Sequence, residues 1–253
     1  MSLSPTTTSA AHLRLQSIQW VACDLDDTIH EFRLASRAAS AAVFEVIHRE
    51  HSIPIEELQA DYSAILATHT AKAFSDGRKS TQYRRDRFNA LLRGRGIDAS
   101  EESLTSLLSI YKDALSRALR AKPNALTTLQ TLKEQGKTII IITEGPRDAQ
   151  EWTLEQLGVL PYVDILSTSN DVGKTKVDGL VGQVIRGAGL NLKDGVYIGD
   201  DRKRDILPAI AEGIDAVHYS EGLDGKLEGD FSTDGYISVN SWDVLTRLFG
   251  SSR

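Results

Sequence analysis

Cysteine, proline and excess positive charge are all scarce in this sequence. Cys23 is the single cysteine among 253 residues, which excludes a disulfide within the chain and is typical of a reducing compartment. Six prolines and 19 glycines are too few for a collagen-like or low-complexity chain. The longest tight apolar run, residues 139–142, is far shorter than the roughly 18–20 residues of a membrane helix. We therefore expect a cytoplasmic protein with no membrane partner.

The charge balance is acidic. The chain has 29 lysines and arginines against 35 aspartates and glutamates, for a net charge of −6. A broad nucleic-acid-binding surface needs an excess of positive charge, so no nucleic-acid partner is expected. The remaining composition, 41% hydrophobic and 25% charged, is that of a globular protein. The length fits one large domain or a domain with an insertion.

Helical and strand-like segments are unevenly distributed along the chain. After a short buried strand, residues 31–121 carry only helical periodicity. Beyond Pro123, strand-sized apolar segments alternate with helix-sized ones, which is typical of βαβ units and of a parallel sheet covered on both faces. The predicted strands cover residues 18–23, 138–142, 163–167, 196–198, 215–219 and 236–239.

This distribution predicts an α/β fold with an insertion. Residues 1–29 and 123–253 are expected to form the core around a parallel sheet, and residues 30–122 an all-helical domain inserted after the first strand. Residues 1–17, which are rich in Ser, Thr and Ala, are expected to be a frayed tail.

Polar residues follow several of the predicted strands at the point where each strand ends. Asp24 follows the first strand, Thr143 the second, and Asp200 the strand at 196–198. A loop after the third strand, residues 173–176, carries two lysines. Because ligands of open parallel sheets bind beyond the carboxyl ends of the strands, we expect these side chains to share one site.

Such a group of residues suits metal-assisted phosphoryl transfer. Clustered carboxylates repel each other unless a cation neutralises them, and Mg²⁺ prefers carboxylate, water and phosphate oxygens. One carboxylate can attack phosphorus, and a second, such as Asp26 two residues after Asp24, can transfer the proton. A lysine and a threonine hydroxyl can stabilise the transferring group. The alternative interpretation is that these acids only cap turns, as Gly-Asp pairs often do.

Four segments resemble the motifs of the haloacid dehalogenase (HAD) superfamily, in the expected order. Residues 24–28 resemble the DxDxT motif, residues 139–143 the hydrophobic strand that ends in Thr, residues 169–176 the lysine stretch, and residues 199–205 the GDxxxxD motif. The likeness covers most of the chain. It implies a Rossmann-like core, and it implies that the helical insertion is a C1-type cap that closes over the site and selects the substrate.

The resemblance implies a role for each matched position. Asp24 would be the nucleophile and a Mg²⁺ ligand, and Asp26 the general acid and base, with its backbone carbonyl on the metal. Thr143 would hold a phosphate oxygen, and Lys176 would steady the nucleophile and the phosphoryl group. Asp200 would bind Mg²⁺. The other residues expected at the site are Glu144 and Gly145 beside the substrate, Asp201 behind the metal ligands, and Asp205, which would orient the lysine or a metal-bound water.

Two positions depart from the family pattern. Glu144 stands where Asn commonly follows the threonine, and a carboxylate about 4 Å from phosphate would cost roughly 4 kcal/mol at an effective dielectric near 20. Glu144 is therefore expected to point away, to pair with a cation or to discriminate substrates. Val177 replaces the proline that usually follows the lysine, and Lys174 is an alternative to Lys176; the spacing from Ser169 favours Lys176.

The insertion offers weaker indications of the substrate. Residues 78–95 hold seven basic residues and one acid, which is consistent with a funnel for anions or with a solvated helix face. Arg87 is the residue of this segment that we expect to face the substrate. His30, at the start of the insertion, is expected to be a solvated linker residue, with contact to the substrate near the hinge as the alternative. Residues 84–88 and 143–146 are similar to those of small-molecule phosphatases, among them bacterial pyrimidine nucleotidases and N-acylneuraminate-9-phosphatases.

The function expected from this resemblance is Mg²⁺-dependent hydrolysis of a small phosphomonoester metabolite through an aspartyl-phosphate. Two alternatives stay open at this point. One is a phosphomutase on the same scaffold, and the other is a catalytically degenerate HAD-like protein that binds a ligand without turnover, which Glu144 and Val177 would mark.

Overall fold

The computed structural model of the protein describes residues 5–69, 74, 76–224 and 227–250, with only the backbone described at 5–9 and 69. The strands are β1 Trp20–Cys23, β2 Thr138–Thr143, β3 Ile165–Thr168, β4 Gly195–Gly199, β5 Asp215–Tyr219, β6 Leu227–Asp230 and β7 Tyr236–Val239. The helices are α1 Pro5–Gln16, α2 Phe32–His51, α3 Ile55–His69, α4 Ser80–Gly94, α5 Glu101–Ala118, α6 Ala125–Glu134, α7 Arg147–Gln156, α8 Ser169–Val172, α9 Leu180–Gly187, α10 Leu207–Ala211, α11 Phe231–Asp234 and α12 Trp242–Phe249.

All seven strands form one sheet in the order β3-β2-β1-β4-β5-β7-β6. Every neighbouring pair is parallel except β6 and β7, which are antiparallel. β1 lies between β2 and β4, with Cys23 in register with Ile141 of β2 and Ile198 of β4. The predicted α/β fold with a parallel sheet is confirmed.

The isoleucine run of β2 explains why the sheet is covered on both faces. Residues 139–142 are fully buried, and successive side chains of a strand point to opposite faces. Ile139 and Ile141 belong to one hydrophobic cluster with Val21, whereas Ile140 and Ile142 belong to another with Trp20 on the other face. Two apolar layers therefore hold the sheet between its helices, as parallel sheets require.

Helices α2 to α5 have a hydrophobic cluster of their own. Phe88 of α4 is fully buried at its centre and stacks on Tyr62, with 5.7 Å between the ring centroids. Tyr111 meets the same phenylalanine edge-on at 5.8 Å. The segment between β1 and α6 can therefore bury apolar surface without the sheet.

The prediction for the amino-terminal segment was wrong. Residues 5–16 form α1 rather than a frayed tail; residues 1–4 of that prediction lie outside the described residues. Ala11 and Leu15 are buried in the cluster on one face of the sheet, and the guanidinium of Arg14 pairs with Asp215 at 2.7 Å. No helix in the described part of the chain combines the length and the apolarity that a membrane span requires.

Candidate active site

One cavity of about 460 Å³ lies where the carboxyl ends of β1, β2 and β4 face the helices of the insertion. Its volume is within the range of small-molecule sites, about 300–1,000 Å³. The structure brings every residue of the predicted site to its wall: Asp24, Asp26, Arg87, Thr143, Glu144, Gly145, Lys176, Asp200, Asp201 and Asp205.

Lys176 joins two carboxylates that are far apart in the sequence. Its Nζ contacts Asp24 Oδ1 and lies 2.6 Å from Asp205 Oδ1, with all three residues buried. Burial alone would lower the pKa of Lys176, but Asp24, Tyr197 and Asp205 raise it well above its ordinary value. The lysine is therefore a fixed cation next to Asp24. Lys174, two residues earlier, is exposed and does not line the cavity.

Asp205 holds the lysine rather than facing a ligand. Besides Lys176, its Oδ1 accepts a hydrogen bond from the Tyr197 hydroxyl at 3.0 Å, and its Oδ2 accepts one from the backbone N–H of Asp201 at 3.0 Å. Asp201 in turn uses its side chain to cap the π-helical turn Arg202–Ile206. These two acids therefore complete the support of Lys176 and of the loop after β4.

Three carboxylates of the site are close enough together to bind a divalent cation. One oxygen from each of Asp24, Asp200 and Asp205 lies within 4.8 Å of the others. Burial raises the pKa of Asp24 to about 8, with Lys176 opposing this rise and Asp205 adding to it. Burial, and next Asp205, raises the pKa of Asp200 to about 6. A hard dication with oxygen ligands would offset this charge. All three carboxylates also accept hydrogen bonds, Asp24 from Thr28 and Lys176, Asp200 from Arg33, and Asp205 from Lys176, Tyr197 and the Asp201 N–H.

Asp26 lies at the cavity wall and contacts His30. The Nε2 of His30 is 2.9 Å from Asp26 Oδ1, and the histidine is 1% exposed. The prediction that His30 is solvated was wrong. The backbone forms bridges between Asp26 and His30 and between His30 and Ala121, and these bury the side chain. The histidine thus fixes the position of the second aspartate of the pair.

A left-handed turn links the aspartate pair to Arg33. Asp27 has a φ of 60°, a conformation that Asp tolerates better than most residues with side chains. Its carboxylate accepts a hydrogen bond from the Arg33 backbone N–H at 3.0 Å and pairs with the Arg33 Nε at 3.1 Å. The same guanidinium reaches Asp200 Oδ2 at 3.2 Å. Sequence reasoning missed Arg33, because its pairing with Asp200 depends on the fold.

Thr143 offers the cavity an unused hydroxyl. The residue is 1% exposed, and its Oγ1 is buried without a hydrogen-bond partner. Buried hydroxyls normally have a partner, so an oxygen-bearing ligand at this place would satisfy it. The next residues, Glu144 and Gly145, also line the cavity, and the Gly145 N–H donates to Ser169 Oγ at 3.2 Å.

Glu144 uses both of its carboxylate oxygens to bind protein groups beside the cavity. Its Oε1 accepts a hydrogen bond from the Lys176 backbone N–H at 2.8 Å, and its Oε2 contacts the Arg204 guanidinium. Of the expectations for this position, pairing with a cation matches the geometry. Glu144 thereby ties the end of β2 to the lysine turn at Lys176–Asp178.

The arginines of the basic segment at residues 78–95 fall into two groups, one for each of the two interpretations. Arg78, Arg85 and Arg95 pair with carboxylates outside the cavity, as a solvated face would. Arg84 and Arg87 line the cavity. The guanidiniums of these two lie over the rings of Tyr111 and Phe74, at 5.0 and 5.5 Å from the ring centroids.

Comparison with known proteins points to one family. A family model described as haloacid dehalogenase-like hydrolase matches residues 18–213. The chain is 26% identical over 229 residues to the ribulose-1,5-bisphosphate 5-phosphatase of Halopiger xanaduensis, which covers 89% of this chain and 95% of the relative. It is also 26% identical over 236 residues to the glyceraldehyde 3-phosphate phosphatase of Methanocaldococcus jannaschii, which covers 91% and 96%.

Solved structures share the fold. A HAD phosphatase from Thermococcus onnurineus is similar with a TM-score of 0.65 and 23% identity, over 93% of this chain and 100% of the other. The HAD-hydrolase YfnB of Bacillus subtilis, solved bound to magnesium, is similar with a TM-score of 0.66 and 20% identity, over 92% and 98%.

Proposed function

Because the chain belongs to the haloacid dehalogenase-like hydrolase family, we propose that it is a Mg²⁺-dependent phosphatase of small phosphomonoester metabolites and that Asp24 is its nucleophile. The observation that carries the proposal is the contact between Lys176 and Asp24 in a cavity that also holds the unpartnered hydroxyl of Thr143. The matched curated relatives support the substrate class, because they are named as phosphatases of small sugar phosphates. The single cysteine supports a cytoplasmic location.

Asp24 and Asp26 divide the reaction between them. A carboxylate oxygen of Asp24 attacks phosphorus, and the bond from phosphorus to the ester oxygen breaks as that oxygen takes a proton from Asp26. Asp26 then takes a proton from a water molecule, whose oxygen attacks the phosphorus of the aspartyl-phosphate. The bond from phosphorus to the Asp24 oxygen breaks, inorganic phosphate leaves, Asp24 is again a carboxylate and Asp26 again carries its proton.

Lys176 and Thr143 act on the transferring group. The lysine, held by Asp205, orients Asp24 and offsets the charge on the phosphoryl oxygens. The buried hydroxyl of Thr143 donates a hydrogen bond to one of those oxygens. Asp24, Asp200 and the backbone carbonyl of Asp26 are the groups that would hold Mg²⁺. When bound, the ion offsets the charge shared by the carboxylates and the phosphate.

Residues 30–122 act as the cap in this proposal. Helices α2 to α5 have their own hydrophobic cluster and form the wall of the cavity opposite the strand ends. Side chains of this wall, Arg87 among them, would therefore select the substrate.

The direct test is phosphate release from p-nitrophenyl phosphate and from a panel of phosphorylated metabolites. We expect a chelator to lower kcat by about 100-fold or more, because a metal contributes several kcal/mol of charge stabilisation in such sites. Added Mg²⁺ should restore turnover, and chelator saturated beforehand with Mg²⁺ is the control. Full activity in chelator would contradict the metal requirement. No phosphate release from any compound in Mg²⁺ would contradict the phosphatase and favour the degenerate binding protein.

Glu144 offers a second test, with its own matched variant. Glu144→Gln keeps an oxygen that accepts from the Lys176 N–H, so we expect kcat within about threefold of the wild type. Glu144→Ala removes that acceptor, and a hydrogen bond of this kind contributes about 1 kcal/mol or more, so kcat should fall about tenfold. Steady-state kinetics and thermal melting of both variants measure this. Equal kinetics in the two variants would show that Glu144 does not position the lysine turn.

A further inference from the structure

The wall that faces the catalytic carboxylates is cationic. The charged side chains that the described parts of helices α2 to α5 contribute to the cavity are Arg33, Arg84 and Arg87. Arg33 already pairs with Asp27 and with a carboxylate after β4. The other two arginines have no carboxylate partner among the described residues. They lie on the side of the cavity that a substrate would meet beyond its phosphate.

Arg87 has one complete edge of its guanidinium unused. Its Nε and Nη2 are both buried, and neither has a hydrogen-bond partner. These two nitrogens carry parallel N–H groups on the same edge of the planar fork, which is the arrangement that binds a carboxylate or phosphate through two hydrogen bonds. Buried charged donors are normally paired, so a free edge at the cavity indicates a partner that comes with the ligand.

The surroundings of Arg87 do not neutralise it. Burial raises the pKa of Tyr62 to about 12, with Tyr111 adding to this rise and Arg87 opposing it, so this neighbour is a neutral hydroxyl at physiological pH. The ring of Phe74 offers only an aromatic face, 5.5 Å from the guanidinium. Arg84 nearby adds a second positive charge and donates weakly to Ser80 Oγ at 3.4 Å.

We propose that the substrate carries a second oxyanion, a carboxylate or a second phosphate, which Arg87 binds through its free edge while the scissile phosphate lies at Asp24. The inference rests on the proposed phosphatase function and narrows its substrate class. The preference for substrates with a second oxyanion depends on the planar, two-donor guanidinium of Arg87 and not on its charge alone.

Two matched pairs of compounds test this assignment. Glycerol 3-phosphate and 3-phosphoglycerate differ by a carboxylate, and ribulose 5-phosphate and ribulose 1,5-bisphosphate differ by a second phosphate. For the wild type in Mg²⁺, we expect kcat/KM to be about tenfold or more higher for the compound with the second oxyanion in at least one pair. Preference in the first pair identifies a carboxylate as the partner, and preference in the second identifies a phosphate.

Variants of α4 connect that preference to Arg87. Arg87→Gln should lower kcat/KM for the preferred compound with the second oxyanion by about 10- to 100-fold more than it lowers kcat/KM for the other member of the pair, and thermal melting of the variant reports correct folding. Arg87→Lys keeps the charge and loses the fork, so it should restore only part of the preference. Arg93→Gln is the matched control, because Arg93 is at an exposed position of the same helix and its side chain bonds Asn89.

The failure of this inference is distinct from failure of the proposed function. Phosphate release without preference in either pair, or a preference that survives Arg87→Gln, would overturn the role of Arg87 while the phosphatase stands. Absence of phosphate release from all four compounds and from p-nitrophenyl phosphate would overturn both.

Discussion

Asp24→Asn is expected to lower kcat for phosphate release by about 10⁴-fold or more, because the amide cannot attack phosphorus. The substitution keeps the size of the side chain and removes one charge from a group of buried carboxylates. Lys176 retains its ion pair with Asp205 at 2.6 Å, so the fold should persist. Phosphate release and thermal melting of the variant measure the two effects separately.

The control for this experiment is an exposed aspartate in the turn that follows α8. Asp178, two residues after Lys176, accepts a hydrogen bond from Thr175 at 2.5 Å and does not line the cavity. Asp178→Asn should keep kcat within about threefold of the wild type, since surface changes of this kind have small effects. Wild-type turnover in Asp24→Asn would contradict the assignment of the nucleophile.

Replacing Lys176 by methionine is expected to affect both activity and stability. The lysine is the cation shared by two buried carboxylates, and removal of one partner from a buried ion pair costs about 3–5 kcal/mol. Loss of its charge next to the transferring group should lower kcat by about 10²- to 10³-fold. Unfolding by urea in the presence of a chelator and steady-state kinetics in Mg²⁺ measure the two losses.

Lys174→Met is the matched variant, two residues away in the same loop. This side chain is exposed, so kcat should change by less than about threefold and the free energy of unfolding by about 0.5 kcal/mol or less. The comparison decides which of the two lysines serves the site. Equal effects of the two substitutions, or a larger effect at Lys174, would contradict the role given to Lys176.

The parts of the fold that could be predicted are those with strong local patterns. The isoleucine run at 139–142 predicts a strand buried on both faces, and β2 is that strand. The motif that begins at Asp24 could be located because a buried strand ends in three acids within four residues. Because neighbouring strands are parallel, their carboxyl ends lie together at one edge of the sheet. The family resemblance is confirmed by the family model that matches residues 18–213.

Features with weak local patterns were missed. Helix α1 has few apolar residues, and its packing depends on Leu15 and on an ion pair to a residue 201 positions away. The edge strand β6 is four residues long and contains glycine and two acids, so no alternating pattern marks it. Neither element can be identified without the partner against which it packs.

Contacts between residues that are far apart in the chain could not be predicted from the sequence either. The direction of Glu144 depends on Arg204, which lies 60 positions later, and the burial of His30 depends on a bridge to Ala121. The sequence indicated Arg87 through its position in a basic segment and in a stretch, residues 84–88, that is similar to small-molecule phosphatases. Its free guanidinium edge is visible only when the insertion is packed above the sheet.

The measurement that tests the central claim most directly is the reaction of Asp26→Asn with p-nitrophenyl phosphate. Because p-nitrophenolate leaves without much need of a proton, the attack by Asp24 should proceed, whereas hydrolysis of the aspartyl-phosphate needs the base that the variant lacks. We expect a burst of p-nitrophenol equal to the enzyme concentration, and mass spectrometry of the acid-quenched enzyme should find one phosphoryl group on the peptide that contains Asp24. A slow steady rate without a burst, with no phosphoryl group on that peptide, would contradict the account.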